Sequence, residues 1–347
     1  MSDLYDVTII GGGPAGLYSA FYSGLRNMKT KIIEYQPELG GKVLLYPEKL
    51  IWDVGGQPPI LGEKFAKQIV EQGLTFDPCV CTNTKVDFIE KNQEDNFVIS
   101  THDGEQHISN SIIMANGGGI INPTRLDIEG SSKYENQNLH YTIPSLKPFY
   151  QQKVLISGGG DTAIDWAHEL LGIAKEVIVI YRKDNFTAHE ANVTKLMNHP
   201  DSTLLNNTTI QKLIGDRQSI KQVQLLNEQS NEMNVIDVDH VVVAHGYNQE
   251  DSFNLSTDLE LERKDGYFYK GNSFGCTSQE GIFAAGDIIA YEGKVHLLVG
   301  AFQDAVNAVN SAKSYIDPNA THSAIVSSHN ERFKEKNQEI IKDMLNI

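Results

Sequence analysis

The first forty residues constrain the fold more than any other part of the chain. An apolar, β-branched run that contains Val7 and Ile10 leads into GGGPAG at residues 11–16. A helical pattern follows, and a second apolar run ends in Glu34. This order of strand, glycine-rich turn, helix, strand and acid predicts a βαβ unit.

Each glycine of this turn has a chemical reason to be there if a dinucleotide binds. Gly11 lets the chain turn sharply out of the strand, Gly13 leaves room for a pyrophosphate, and Gly16 lets the helix pack closely on the strand. The helix N-terminus presents unpaired N–H groups and a partial positive charge to the phosphates. The carboxylate of Glu34 can accept a hydrogen bond from a ribose hydroxyl, so the stretch predicts an FAD- or NAD-type site. The alternative is a plain glycine-rich turn.

The same pattern returns in the middle of the chain. A strand pattern at 154–157 leads into GGGDTA at residues 158–163, and a helix and a second strand pattern follow. The two copies indicate an internal repeat of dinucleotide folds rather than a solenoid. The residues of this second turn that we expect to contact a nucleotide are Gly158, Gly160, Asp161, Thr162 and Ala163.

The two copies differ where their second strands end. The second copy ends in Arg182-Lys183 instead of an acid. Arginine suits the 2′-phosphate of NADP, whereas an acid suits a ribose hydroxyl. The second copy therefore predicts an NADP-type site, and the alternative for these two cations is a solvated strand end.

The bulk composition limits the class of protein. At 347 residues the chain is long enough for two domains, and its net charge of −16 argues against nucleic acid or an anionic membrane as a partner. No apolar run reaches the roughly 18 residues of a membrane span. The first predicted strand begins almost at Met1, so we expect no signal peptide and a cytoplasmic location. Three cysteines do not make a disulfide framework.

The motifs together resemble a known family. GGGPAG with Glu34, GGGDTA with YRKD at 181–184, and GIFAAGD at 281–287 before a long helix pattern are similar to the two-dinucleotide flavoprotein reductases. The arrangement is most similar to the thioredoxin reductase subgroup. Within it, LYPEK at 45–49, LHY at 139–141 and a tail that continues past residue 318 resemble the thioredoxin-reductase-like ferredoxin–NADP reductases. Residues 82–275 contain no cysteine, so the dithiol relay of thioredoxin reductases cannot operate here.

This resemblance implies an α/β fold of two Rossmann-like domains, one for FAD and one for NADPH. Each would have a central parallel sheet, helices and a small antiparallel β-meander, and the chain would end in a tail with a terminal helix. The FAD domain would take residues 1–117 and 248–347, including the tail at 318–347. The NADPH domain would take residues 118–247.

The resemblance also implies the reaction. The protein would take a hydride from NADPH onto FAD and pass single electrons to ferredoxin or flavodoxin, as a homodimer. No metal site is expected. Two alternatives stay open: an NADPH-dependent flavin or disulfide reductase with another acceptor, and a dinucleotide-binding sensor that has lost its redox chemistry.

Several site residues follow from the resemblance. Tyr46 would stack on one face of the flavin, Asp287 would hydrogen-bond the ribityl chain, and a ring from the tail would cover the other face. The helix that begins near residues 296–298 would point its N-terminus at the isoalloxazine ring. The remaining cofactor-binding residues that the resemblance implies are Pro14, Ala15, Gly41, Lys42, Val86, Pro123 and Gly286.

The tail departs from the pattern of the subgroup. The position expected to stack on the flavin corresponds to Val326, and the nearest ring belongs to His329. We therefore expect His329 at the flavin, with Ser327 or Ser328 near the edge of the ring that accepts the hydride, and the alternative for His329 is a surface histidine.

The NADP pocket departs as well. The subgroup often has a second arginine where this chain has Thr187. Lys183 and His189 could compensate for it. A neutral His189 would bind a phosphate poorly, so this interpretation predicts weaker NADPH binding as pH rises.

An acidic enzyme must also dock an acidic electron carrier. Five cations fall within one short stretch, which predicts a locally basic face near the flavin and salt-sensitive docking. They are Arg26, Lys29, Lys31, Lys42 and Lys49.

Overall fold

The computed structural model describes residues 3–135, 137–216, 219–250 and 253–345. The chain divides into two compact units. The first unit consists of Met1–Leu44, Lys49–Ile120 and Glu250–Ile347, and the second unit of Leu45–Glu48 and Ile121–Gln249. The short segment Leu45–Glu48 thus packs with the second unit although its neighbours in sequence belong to the first.

Both units combine helices with runs of consecutive strands. The helices are α1 (Pro14–Leu25), α2 (Gly62–Gly73), α3 (Asp161–Leu170), α4 (Glu190–Met197), α5 (Leu298–Ile316) and α6 (Lys334–Leu345). The strands are β1 (Leu4–Ile10), β2 (Thr30–Ile33), β3 (Leu50–Ile51), β4 (Ile60–Leu61), β5 (Cys79–Cys81), β6 (Val86–Lys91), β7 (Phe97–Thr101), β8 (Gln106–Met114), β9 (Ile120–Pro123), β10 (Leu139–His140), β11 (Lys153–Ser157), β12 (Glu176–Ile180), β13 (Ser202–Leu205), β14 (Thr208–Gly215), β15 (Ile220–Asn227), β16 (Glu232–Asp237), β17 (His240–Val243), β18 (Tyr247–Glu250), β19 (Asn254–Leu255), β20 (Arg263–Lys264), β21 (Phe268–Lys270), β22 (Ile282–Ala284) and β23 (Ile289–Ala290).

The first unit is built on a sheet whose centre is parallel. Strand β1 lies between β2 and β8, and β5 and β22 extend the parallel part, whereas β6 and β7 add antiparallel pairs. The β-branched run of β1 is buried because both faces of the sheet are covered. One face packs against α1, α2 and α5, where Leu17, Phe65 and Ala305 are buried, and the other face packs around Tyr269.

The second unit repeats this design at smaller scale. Its parallel sheet has the strand order β10-β17-β11-β12-β13. Helices α3 and α4 cover one face, where Trp166 is buried, and the antiparallel sheet β14-β15-β16 contributes Ile210 and Val223 to the core on the other face. The α/β fold with parallel Rossmann-like sheets that the sequence predicts is therefore confirmed.

A half-buried histidine pair bridges β10 and β17 in the second unit. His140 Nε2 lies 3.0 Å from His240 Nδ1, and the ring of Phe149 packs against both imidazoles. Burial, together with the neighbouring His240, lowers the pKa of His140 to about 4, and burial lowers the pKa of His240. Both rings are therefore neutral near pH 7.

Because of this histidine pair, we expect the stability of the protein to depend on pH. We expect the free energy of unfolding to decrease as pH falls from about 6.5 to 4, because the unfolded chain binds protons that the folded pair rejects. The pKa of His140 is 6.5 in the unfolded chain and about 4 in the folded chain. This difference of about 2.5 corresponds to ~3 kcal/mol of unfolding free energy lost by pH 4. Chemical unfolding between pH 7 and pH 4 measures this loss in the natural chain and in His140→Gln, with the exposed His102→Gln as control. A pH profile of His140→Gln as steep as that of the natural chain would contradict the assignment.

The C-terminal tail packs against the C-terminal end of α1. Arg26 donates from Nη2 to the carbonyl of Thr321 at 2.5 Å, and Arg332 donates from Nη1 to the carbonyl of Gly24 at 2.9 Å. Asn330 caps the turn that leads into α6 by accepting from the Arg332 N–H at 3.1 Å, as its side chain predicts. These contacts fix residues 321–333 at the end of α1 that is remote from the glycine turn.

Candidate cofactor sites

The glycine turn after β1 is closely packed on one side and open on the other. Gly11 has φ +109°, and a Cβ there would lie 2.5 Å from the carbonyl oxygen of Ala115. A Cβ at Gly16 would lie 1.9 Å from the carbonyl oxygen of Gly11. At Gly13, in contrast, the nearest atom to such a Cβ is the Cα of Gly41 at 3.7 Å. The turn thus leaves its free space where a pyrophosphate would approach.

Glu34 is held in one orientation beside this turn. Its Oε2 accepts the N–H of Gly12 at 2.6 Å, and its Oε1 accepts the N–H of Gln36 at 2.7 Å. The residue is 8% exposed. A buried carboxylate with both oxygens fixed by backbone donors is preorganised to accept from a ribose hydroxyl.

An acceptor without a partner marks the same end of the sheet. Among the described residues, nothing donates to the buried Oδ1 of Asn116, which follows the end of β8. Since buried polar atoms are nearly always hydrogen-bonded, a donor from outside the chain is expected at this atom. The open face of Gly13, the fixed Glu34 and this acceptor together fit a bound FAD.

The third element of this site is the turn after β22. The Asp287 carboxylate lies 3.6 Å from Lys42 Nζ and 3.7 Å from His296 Nδ1, and the Lys42 and Asp287 side chains are about half exposed. Helix α5 begins at Leu298, at the predicted position. Gly286 lies so close to α1 that a Cβ would be 2.8 Å from the Cβ of Ala15.

A buried ion pair lies behind this turn and was not predicted. Asp304 of α5 accepts the Gly286 N–H at 3.1 Å and the Tyr291 hydroxyl at 2.6 Å, and it forms a salt bridge with Lys294. The signal for it is present in the sequence, because an acid at position 304 falls on the apolar face of α5 beside Ala301.

The second unit contains a cleft of about 730 Å³ at the carboxyl ends of its strands. The glycine turn after β11 forms its floor, and the end of β12 with Arg182 forms one wall. The residues that line it are Thr124, Arg125, Leu126, Asp127, Ile128, Tyr141, Ser157, Gly158, Gly159, Gly160, Asp161, Thr162, Ile180, Tyr181, Arg182, Thr208, Thr209, Ile210, Val243, Ala244, His245, Gly246 and Tyr247. Its size and position suit a nucleotide, since ligands bind parallel sheets at this edge.

His245 and Ser157 meet inside the cleft. The Ser157 hydroxyl and His245 Nε2 are 2.8 Å apart. Burial and the charge of Arg182 lower the pKa of His245. Arg182 therefore carries the positive charge on this wall, and His245 stays a neutral hydrogen-bonding group near pH 7.

The comparisons with known proteins agree with this geometry. A family model described as pyridine nucleotide-disulphide oxidoreductase matches residues 5–312.

The chain belongs to this family.

Ferredoxin–NADP reductase 3 of Lysinibacillus sphaericus (strain C3-41) is 56% identical over 349 residues, which cover 99% of each chain. Ferredoxin–NADP reductase 2 of Exiguobacterium sibiricum is 54% identical over 346 residues, which cover 99% of this chain and 98% of that one. The crystal structure of Lactococcus lactis thioredoxin reductase in its FR conformation has a TM-score of 0.72 at 25% identity and covers 90% of this chain and 99% of that one. The predicted resemblance is confirmed.

In this pyridine nucleotide-disulphide oxidoreductase, most of the predicted residues of the first site come together. Short distances connect the GGGPAG turn with Glu34, with Gly41 and with Gly286, and connect Lys42 with Asp287. Val86 is 4% exposed, and its side chain belongs to the core of the first unit. A contact between this residue and a cofactor would therefore be made by its backbone.

Tyr46 belongs to the second unit, and the predicted tail residues belong to the segment that packs on the C-terminal end of α1. The ring of Tyr46 lies 5.6 Å from that of Trp166, both in the second unit. Ser327, Ser328 and His329 form one exposed helical turn in the tail segment held at the far end of α1. Their predicted contacts with the flavin remain predictions.

The second site differs from the prediction in its cations. Arg182 lines the cleft, whereas Lys183 and His189 do not. His189 instead donates its backbone N–H to Asp161 at 3.0 Å. A second arginine, Arg125, lines the cleft with 69% of its side chain exposed and forms a salt bridge with Glu135. It lies in an irregular stretch that carries no motif, so no sequence pattern indicated it.

The structure buries two of the five cations of the predicted basic docking face, and the face itself stays a prediction. Arg26 and Lys31 are buried, with 6% and 7% exposed. The guanidinium of Arg26 donates hydrogen bonds to Asn310 and Thr321. Lys31 Nζ lies 2.8 Å from His107 Nδ1. Lys42 is paired with Asp287. Sequence proximity did not place all five cations on one surface, because strand and helix positions point in different directions.

Proposed function

We propose that the protein is an FAD-dependent ferredoxin–NADP reductase. It transfers electrons between NADPH and ferredoxin or flavodoxin. The observation that carries the proposal is the pair of glycine cradles in one chain, the first beside Glu34 and the second beside Arg182. The names of the relatives, which align over nearly the whole chain, support the same activity.

Each unit holds one nucleotide in this proposal. The first unit, close to residues 1–117 and 248–347, binds FAD, and the second unit, close to residues 118–247, binds NADPH. Glu34 accepts from the ribose of FAD, and the N–H groups at the start of α1 face its pyrophosphate. Arg182 donates to the 2′-phosphate of NADPH, and Arg125 adds a second cation to the lining of the cleft.

The bound flavin supplies the chemistry, since it accepts two electrons together and releases them singly. The residues of the chain supply position and electrostatics. The Asp287 carboxylate, with Lys42 and His296 beside it, is the polar group next to the first turn that contacts the flavin chain. Positioning and electrostatic stabilisation do not require a residue that abstracts a proton from the substrate. The proposed reaction therefore needs no acid–base pair of side chains.

Assembly and location belong to the same proposal. We infer a homodimer that acts in the cytoplasm. Three free cysteines suit a reducing compartment. Within the described residues, no helix has the length and apolar character needed to cross a membrane. Support for a dimer comes from apolar side chains that the tail exposes: Ile325, Val326, Ile340, Ile341, Met344 and Leu345.

An anaerobic titration of the purified protein tests the proposal. We expect NADPH to bleach the visible absorbance of the bound flavin at concentrations at least ~10-fold lower than NADH does, since a lost charged contact costs about that factor. Reduced protein mixed with oxidised ferredoxin should then recover its flavin absorbance. A bound flavin that NADPH does not bleach would exclude the reductase activity, and bleaching without transfer to ferredoxin or flavodoxin would favour a different acceptor.

A further inference from the structure

We propose that Asp304, Lys294 and Tyr291 form a positioning network that fixes the Gly286-Asp287 turn and thereby sets the affinity for FAD. The inference rests on the proposed function, in which Asp287 contacts the flavin. None of the three side chains needs to touch the cofactor. They act through the backbone of Gly286.

The contacts join one carboxylate to three groups. Asp304 Oδ2 accepts the Gly286 N–H at 3.1 Å and pairs with Lys294 Nζ, while Oδ1 accepts the Tyr291 hydroxyl at 2.6 Å. Burial and the Asp304 carboxylate raise the pKa of Tyr291, so its hydroxyl remains a donor. Both oxygens of the carboxylate are therefore committed, and the turn is tied directly to α5.

The ion pair of this network is enclosed. The side chains of Lys294 and Asp304 are 4% and 2% exposed, respectively. A buried ion pair is not needed for stability, because apolar side chains of similar volume stabilise a core as well or better. Its presence is better explained by what it orients, and the backbone N–H that it receives belongs to the residue before Asp287.

Gly286 is constrained from the opposite side as well. It has φ +80°, a conformation that side chains disfavour, and a Cβ would lie 2.8 Å from the Cβ of Ala15 at the start of α1. The turn is thus clamped between Asp304 on α5 and the first helical turn after the glycine cradle. Loss of the clamp would let Asp287 shift relative to that cradle, and the contact with FAD would weaken.

A double-mutant cycle on FAD binding tests this inference. Apoprotein is titrated with FAD, and the dissociation constant is read from the flavin fluorescence. One change is Lys294→Met with Asp304→Ala, which removes both charges together and the acceptor for Gly286. The other change is Asp287→Ala, and the cycle is completed by combining them. Thermal unfolding of each apoprotein is measured in parallel.

We expect each change alone to weaken FAD binding about tenfold, and the combination to be no more than about threefold weaker than Asp287→Ala. Coupling of this kind arises when two residues act through one contact. Asn310→Ala is the matched control, because Asn310 lies on the same helix and accepts from buried Arg26 at 2.5 Å. It should lower the unfolding temperature and leave the FAD dissociation constant within twofold.

Additive effects in the cycle, or an unchanged affinity after removal of the ion pair, would overturn the inference. If the charge-deleted variant does not fold, Tyr291→Phe replaces it, since this variant keeps both charges. It should weaken FAD binding about threefold in the natural chain and have no effect beside Asp287→Ala, and equal weakening in both would overturn the inference. Unchanged affinity in Asp287→Ala would overturn it too, and bleaching by NADPH would then show whether the reductase assignment stands.

Discussion

An alanine at position 16 is expected to leave the protein without bound flavin and to lower its free energy of unfolding by about 3 kcal/mol or more. The added methyl group would lie 1.9 Å from the Gly11 carbonyl oxygen and 3.3 Å from the Ile9 side chain. The first of these neighbours is backbone, so helix α1 must move away from β1 to relieve the clash. Flavin absorbance per protein and chemical unfolding measure the two effects.

Gly55→Ala is the control for this prediction. Among the described residues other than its chain neighbours, no atom lies within 4 Å of a Cβ built at Gly55, so the unfolding free energy and flavin content of this variant should match those of the natural chain. A Gly16→Ala protein with full flavin content would mean that the close packing of α1 on β1 is not required for the site.

Arg182→Ala is expected to raise the KM for NADPH about 10- to 100-fold while changing the KM for NADH less than threefold. The side chain lines the cleft of the second unit at the end of β12, where a charge-assisted contact to the 2′-phosphate would be lost and no equivalent group exists on NADH. Steady-state reduction of an artificial acceptor with both nucleotides gives the two constants. Equal increases for NADPH and NADH would contradict the assignment of the phosphate to this arginine.

The neighbouring cation supplies the matched control. Lys183 follows Arg182 in sequence but does not line the cleft. Lys183→Ala should therefore change the KM for NADPH less than threefold, even though it removes the same charge. An effect as large as that of Arg182→Ala would show that the general positive field matters more than the contact.

The sequence predicted the parts of this protein that depend on local chemistry. The packing roles of Gly11 and Gly16 could be assigned because a sharp turn and a close approach each demand glycine at a fixed spacing, and Glu34 lies beside this turn as its spacing predicts. Helix α5 was placed correctly from its apolar periodicity. The outline of the fold followed from the two copies of this pattern.

The parts that the sequence did not predict depend on tertiary contacts. Arg26 and Lys31 look like surface cations in sequence, and their burial follows from partners such as Thr321 that lie far along the chain. Arg125 enters the cleft from a stretch without periodicity, so no pattern marked it. Residues 45–48 pack with the second unit through Tyr46 and Trp166, a contact that local patterns do not encode.

The discontinuity of the first unit has a consequence for the order in which the protein matures during translation. The second unit is almost contiguous, with residues 121–249 in one stretch, so it can fold while later residues are still being synthesised. Strand β8 cannot pair with β22, and α1 cannot pack against α5 and the tail, until those later residues have been synthesised. The flavin site is thus completed only after β22 and α5 have been synthesised, and FAD cannot make all of its contacts before that point.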